Sequence, residues 1–235
     1  MTDDMQDDPT DKMIDAALMH VPFDGWTETT FRAAMKDAEV APAVAKGLFP
    51  RGAVDLALAF HARGDRRLPG RLAAMNLDGL RYRDKVARAV RARIELSEDR
   101  EAVRRGMTLF SLPIYSADGV RALWSTSDAI WRALGDSSDD LNWYSKRATL
   151  AGVYSSTVLY WLGDDSPESR ETWDFLDRRI DDVMRIESAK SGLRKLPFMG
   201  ALMDLPNRVA ARAAPRRRDE DIPGSWPPAD TPAAR

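Results

Sequence analysis

Apolar residues recur at three- and four-residue spacing along almost the whole chain, a period that predicts helices from end to end. The longest such stretch runs from Gly135 to Asp165. Ser137 to Asp140 form a capping cluster, Gly163 is a terminator, and the residues between them predict a helix about 35 Å long at roughly 1.5 Å per residue. One stripe of that helix holds Leu141, Tyr144, Ala148, Ala151, Val158 and Leu162; a second, about 100° away, holds Trp143, Leu150, Tyr154 and Trp161. The third side, Ser145, Thr149, Gly152 and Ser156, is small and weakly polar. Two apolar faces call for two apolar neighbours, so this is the expected central helix, with packed side chains or a bound apolar molecule against it.

Elsewhere the same period gives shorter elements. After an acidic leader, residues 1–9, Thr10 or Asp11 caps a helix with Met13, Ile14, Ala17 and Leu18 inward. A second starts at Thr27 to Thr30, and a third spans Ala41 to Gly47 with Pro42 in its first turn. Residues 10–50 therefore read as a three-helix head, and residues 51–190 as a helical domain. Within that domain a helix from Arg51 carries Val54, Leu58 and His61 and is expected to break between Gly64 and Gly70. Leu77 to Ser97 is amphipathic, with Arg81, Arg83, Lys85, Arg88, Arg91 and Arg93 on its solvated side. Glu98 to Leu112 turns Val103, Met107 and Phe110 inward. Ser116 to Leu134 carries Val120, Leu123, Trp124, Ile130 and Trp131, and Met107, Phe110, Trp124 and Trp131 offer soft and aromatic surface to the central helix. Trp173, Leu176, Ile180 and Val183 form a last stripe, which either finishes the core or pairs with its copy in a second subunit.

Charge changes the picture at both ends. Residues 1–50 carry ten acidic and four basic side chains, a net of −6, whereas residues 185–218 carry nine basic and two acidic. In residues 191–214 the basic flank accompanies Leu193, Leu196, Phe198, Met199, Leu202 and Met203, the composition of a helix that lies on an anionic membrane without crossing it. Pro206 limits its length. Residues 215–235 read as a flexible tail. No window is apolar and long enough to span a bilayer, and the start lacks the basic and apolar pattern of a signal peptide.

With 235 residues and 44% apolar content the chain can bury a sizeable core. Cysteine is absent, which removes disulfides, thiolate metal sites and a thiol nucleophile. The two histidines, His20 and His61, have no partners at metal spacing, and no phosphate-binding loop, dinucleotide fingerprint or carboxylate–histidine pair occurs. The expected work is binding, with no catalytic residues, metal or cofactor. "MIDAALMHVPFDGW", "TTFRAA" and "AEVAPAVAKGLFPRG" resemble the helix-turn-helix of TetR-type repressors. A duplex presents one phosphate charge per roughly 1.7 Å, and against it the acidic head offers only Lys46 on its third helix, so no nucleic-acid partner is expected.

"LFPRGAVDLALAFHARGDRR" and the block from "LWSTSDAIWRALGDSSDDLNWY" through "LGDDSPESRETWDFLDRRIDDVMRI" are similar to the ubiquinone-biosynthesis accessory protein family called coenzyme Q nine, in its bacterial form. The likeness spans about residues 10–190. It implies an all-α, TetR-like helical bundle with a degenerate helix-turn-helix and a C-terminal amphipathic helix. It also implies a homodimer built on the last core helices, here Trp173, Leu176, Ile180 and Val183, and a pocket for isoprenoid quinone or another lipid. Candidate lining residues are Met107, Phe110, Trp124, Trp131, Ala151, Tyr154, Val158 and Trp161. The partner it implies is the demethoxyubiquinone hydroxylase or another ubiquinone hydroxylase, contacted through Asn142, Trp143, Tyr144 and Arg147. The expected location is cytoplasmic, peripheral to the inner membrane. A TetR-type regulator answering to an apolar ligand and a purely structural dimeric scaffold are the alternatives.

Overall fold

Asp8 opens the first helix: its side chain accepts from the Thr10 backbone N–H at 2.9 Å, and Pro9 follows at the first helical position, where a missing N–H costs little. The cap is therefore Asp8, not Thr10 or Asp11. The computed structural model describes the backbone of residues 8–136 and 141–194, and the side chains of residues 8–136 and 143–185. The expected cap at Ser137 to Asp140, the side chains of Asn142 and Leu193, and the calls on Leu196, Phe198, Met199, Leu202, Met203 and residues 215–235 lie outside these.

Among the described residues every long element is a helix. The head comprises α1 (Pro9–Leu18), α2 (Val21–Asp24), α3 (Glu28–Asp37) and α4 (Pro42–Leu48). Then follow α5 (Ala53–Ala73), α6 (Tyr82–Glu95), α7 (Arg100–Phe110), α8 (Ser116–Ala133), α9 (Leu141–Leu162) and α10 (Arg170–Arg194). By clustering of contacts the chain forms two units, residues 1–184 and 185–235. Of the second, residues 185–194 are described, as the last turns of α10.

The first unit holds two apolar clusters. Met13, Ile14, Trp26, Phe31, Phe49, Leu56, Ala57 and Ala102 form the head's core. Leu68, Val90, Ile94, Ile130, Trp131, Leu150, Tyr154, Val158, Trp161, Leu176 and Ile180 form the other. Helix α5 serves both, which it can do because it does not break between Gly64 and Gly70 as the sequence led us to expect. Pro69 falls in its last turns, and Gly64 is there to admit a neighbour: a Cβ would lie 2.5 Å from Arg93 Cζ. Arg93 is accordingly not on the solvated side of α6; it is 1% exposed and donates to Asp65 Oδ1 at 2.6 Å. Helix α6 starts at Tyr82 instead of Leu77, because Asn76 accepts from the Asp78 N–H and Gly79 turns left-handed before it.

Helix α9 presents one broad buried face, not two. Arg147, Leu150, Val153, Tyr154, Thr157, Val158 and Trp161 are buried, whereas Tyr144 and Ala148 of the first expected stripe are exposed and Ala151 is half-buried. Thr157 joins the buried face at no polar cost by donating to the Val153 carbonyl at 2.7 Å. After α9, Asp164 turns inward and accepts from the Ser166 N–H, the Thr172 N–H and the Thr172 hydroxyl, which hold its carboxyl well below the usual range. Arg100 fixes the same turn through the Asp164 carbonyl and Ser169 Oγ.

The stripe expected either to finish the core or to pair with a second subunit contributes to the core of the single chain. Leu176 and Ile180 are 2% and 5% exposed within the single chain, and Trp173 and Val183 pack against the same core. At roughly 1.5–3 kcal/mol for each fully buried large side chain, Leu176 and Ile180 help to hold the chain's own core, while Trp173 and Val183 stay half-buried at its edge.

Candidate functional site

A cavity of about 360 Å³ lies between the two clusters, within the range of roughly 300–1,000 Å³ typical of small-molecule sites. Trp26 from the head, Ala57 and Phe60 from α5, Ala102, Val103, Gly106, Met107 and Phe110 from α7, Val120 and Leu123 from α8, and Tyr154 and Val158 from α9 supply apolar wall. Two glycines let the walls approach. A Cβ at Gly119 would sit 2.9 Å from Phe110 Cβ, and one at Gly106 would meet Trp26 Nε1 at 3.6 Å. The indole itself is fixed by donating to the Ala102 carbonyl at 3.0 Å.

One end of the cavity is polar and enclosed. Arg93 donates from Nη1 to Ser97 Oγ and from Nη2 to the His61 carbonyl, and its guanidinium carbon lies 5.9 Å from the Tyr154 ring centroid. His61 Nε2 lies 2.8 Å from Thr126 Oγ1. Burial, with the Arg93 charge adding to it, lowers the His61 imidazole to about 4, so it is neutral near pH 7. Burial raises the Tyr154 hydroxyl and keeps it protonated. The other end is open, framed by the exposed Ser111, Ser116 and Val120 at the turn between α7 and α8.

Of the residues predicted to line a lipid pocket, Met107, Phe110, Tyr154 and Val158 meet here; Trp124, Trp131, Ala151 and Trp161 do not. Trp131 is in the core beside Tyr82, Trp161 lies under the Arg100 guanidinium at 4.8 Å, and Trp124 lies tilted against Trp143 and Tyr144 at ring distances of 5.7 and 6.2 Å. Sequence reading missed Trp26, Phe60, Arg93 and Ser97 and found for His61 only that it has no partner at metal spacing. The available signal was the helical position of Arg93, three residues after Val90 and beside Ile94 on the apolar stripe.

The expected docking surface is also revised. Arg147 is 1% exposed, salt-bridged to Asp128 at 2.7 Å, with its guanidinium carbon 3.9 Å from the Trp143 ring centroid. It supports the aromatic cluster from beneath and offers no surface to a partner. Trp143 is half-buried on it, and Tyr144, 60% exposed, is the outermost ring. Among the described residues no three His, Asp or Glu side chains are grouped to hold a metal ion, and no helix is long and apolar enough to cross a membrane.

Comparison with known proteins fits this arrangement. The sequence profile of the COQ9 family matches residues 116–187, which begin at α8 and end within α10. The ubiquinone biosynthesis protein COQ9 of Rattus norvegicus is 32% identical over 210 residues, covering 83% of this chain and 67% of that protein. The chain belongs to the COQ9 family. The COQ9 of Homo sapiens is 31% identical over 210 residues and that of Drosophila melanogaster 31% over 182, covering 83% and 75% of this chain. The chain spans 66% and 55% of those two relatives' own length, and all three are named as mitochondrial. Its fold is also that of a TetR transcriptional regulator from Nitrosomonas europaea, which superposes with a TM-score of 0.59 at 18% identity, over 73% of this chain and 95% of that one. The all-α, TetR-like architecture expected from the sequence is the one observed.

Proposed function

We propose that the chain is a non-enzymatic, lipid-binding accessory protein of ubiquinone biosynthesis. It takes up an isoprenoid quinone intermediate in the cavity between its two apolar clusters, docks on the membrane through residues 191–214, and presents the substrate to demethoxyubiquinone hydroxylase or another ubiquinone hydroxylase. The observation that carries this reading is the cavity: an apolar chamber of about 360 Å³, open at the α7–α8 turn, in a chain whose relatives are named for ubiquinone biosynthesis. Membership of that family supports the pathway, and the basic, apolar composition of residues 191–214 supports the membrane contact. The head gives no support to DNA binding, since α4 carries Lys46 as its one cation within a segment of net charge −6. The test is mass spectrometry of lipids extracted from the purified chain, with flotation on anionic liposomes before and after removal of residues 193–218. A bound prenylated quinone and flotation lost on truncation are expected; a chain that carries no lipid and does not float overturns the reading.

A further inference from the structure

The turn between α7 and α8 exposes Leu112, Ile114 and Val120 around the open end of the cavity, and Ile114 is 77% exposed. One exposed apolar side chain is ordinary, but three beside the mouth of an apolar chamber form a patch. The polar groups of the turn are spent within it. Ser111 Oγ donates to the Thr108 carbonyl at 2.8 Å and Ser116 Oγ to the Pro113 carbonyl at 3.0 Å. The Tyr115 N–H donates to the Leu112 carbonyl at 2.9 Å, and Pro113 has no N–H to satisfy. Such a turn loses little hydrogen bonding when water is withdrawn from it.

Charge points the same way. From Ala102 to Ser127 the sequence has three cations, Arg104, Arg105 and Arg121, against one carboxylate, Asp118, a net of +2 in a chain of net −2. All three arginines are exposed, whereas Asp118 is 6% exposed and held by Arg121 Nη2 and by Arg51 Nη1 at 2.8 Å. The surface beside the mouth is therefore apolar and cationic, with its negative charge beneath.

We propose that the α7–α8 turn is a membrane-contact site that seats the mouth of the cavity on an anionic lipid surface, as a contact separate from residues 191–214. Its purpose rests on the lipid-binding reading; its chemistry rests on the turn. Leu112 and Ile114 enter the boundary of the acyl chains while the guanidiniums stay at the level of the head-group phosphates. An apolar molecule then passes between bilayer and cavity without crossing water. A protein partner fits less well, because an interface of usual size carries about ten hydrogen bonds and the serines of this turn have already given theirs to its own backbone.

The chain has no cysteine, so Ile114→Cys in the full-length protein takes a single environment-sensitive fluorophore, with Lys46→Cys on the head as the control. Each is mixed with phosphatidylcholine vesicles containing or lacking phosphatidylglycerol. The label at 114 is expected to shift to the blue and brighten on the anionic vesicles, and the label at 46 to stay in water. Leu112→Ser combined with Ile114→Ser is expected to weaken vesicle binding roughly tenfold, with the melting temperature unchanged because both side chains are exposed. A label at 114 that stays in water while the chain floats, equal shifts at 114 and 46, or a double variant that binds as wild type does would each overturn the site. So would a label that responds to the hydroxylase and not to vesicles. A chain that carries no extractable lipid but whose label at 114 enters the bilayer loses the cargo reading and keeps this contact.

Discussion

A methyl group at position 64 would sit 2.5 Å from the Arg93 guanidinium carbon, in a place where Arg93 is tied to Asp65, Ser97 and the His61 carbonyl and has no room to yield. Gly64→Ala is therefore expected to lower stability by about 1–3 kcal/mol in urea unfolding, as other small-to-large changes at packed sites do; a loss of a few tenths would mean the guanidinium gives way. Arg147 is held from two sides, by Asp128 at 2.7 Å and Asp136 at 3.5 Å. Arg147→Met leaves Asp128 to Arg132 and Asp136 to Lys146, and is expected to cost about 1–3 kcal/mol by the same assay. The His61 imidazole titrates near 4 in the folded chain and near 6.5 when unfolded, so the unfolded state binds the extra proton between those values. Stability is intact above pH 6.5 and falls as the pH drops toward 4, by up to ~1.4 kcal/mol per pH unit. Unfolding free energies of wild type and His61→Gln, compared from pH 7.5 to 4.5, should diverge as the pH falls; parallel curves would assign the titration elsewhere.

At the scale of the helices, what the sequence could show depended on which interactions are periodic. Helices α1, α3 and α7 follow directly from their spacing, because a single apolar stripe and a local side-chain cap specify each one, and α8 follows from its stripe alone. Helix α9 does not, because its buried face includes Arg147 and Thr157, whose burial depends on Asp128 across the α8 contact and on the helix's own carbonyls. Likewise no spacing rule reveals that Gly64 and Arg93, 29 positions apart, need one another, so the polar floor of the cavity stayed hidden while part of its apolar wall was legible in Met107, Phe110, Tyr154 and Val158. Helix α10 shows the converse: its stripe was plain, and only packing decides that it faces inward. Leu176→Ala is therefore expected to cost about 2–5 kcal/mol in unfolding.

For the whole molecule, the aromatic cluster of Trp124, Trp143 and Tyr144 is the surface on which to test the proposed docking of a hydroxylase, and Tyr144, 60% exposed, is its outermost ring. Tyr144→Lys is expected to leave the melting temperature within about 2 °C of wild type while abolishing co-purification of the hydroxylase, since one aromatic anchor can carry much of an interface; an unchanged yield of complex would remove this surface from consideration. Ala102, Trp26 and Ala57 reach the cavity from the head's cluster, and Tyr154 and Val158 reach it from the other. A molecule filling that chamber would join the two clusters into a continuous interior and is expected to raise cooperativity. Without it, calorimetry should show a broad transition in which the head melts first; with it, the two transitions should merge into one sharper and hotter peak, so that each protein molecule reports, by how it unfolds, whether it is carrying cargo.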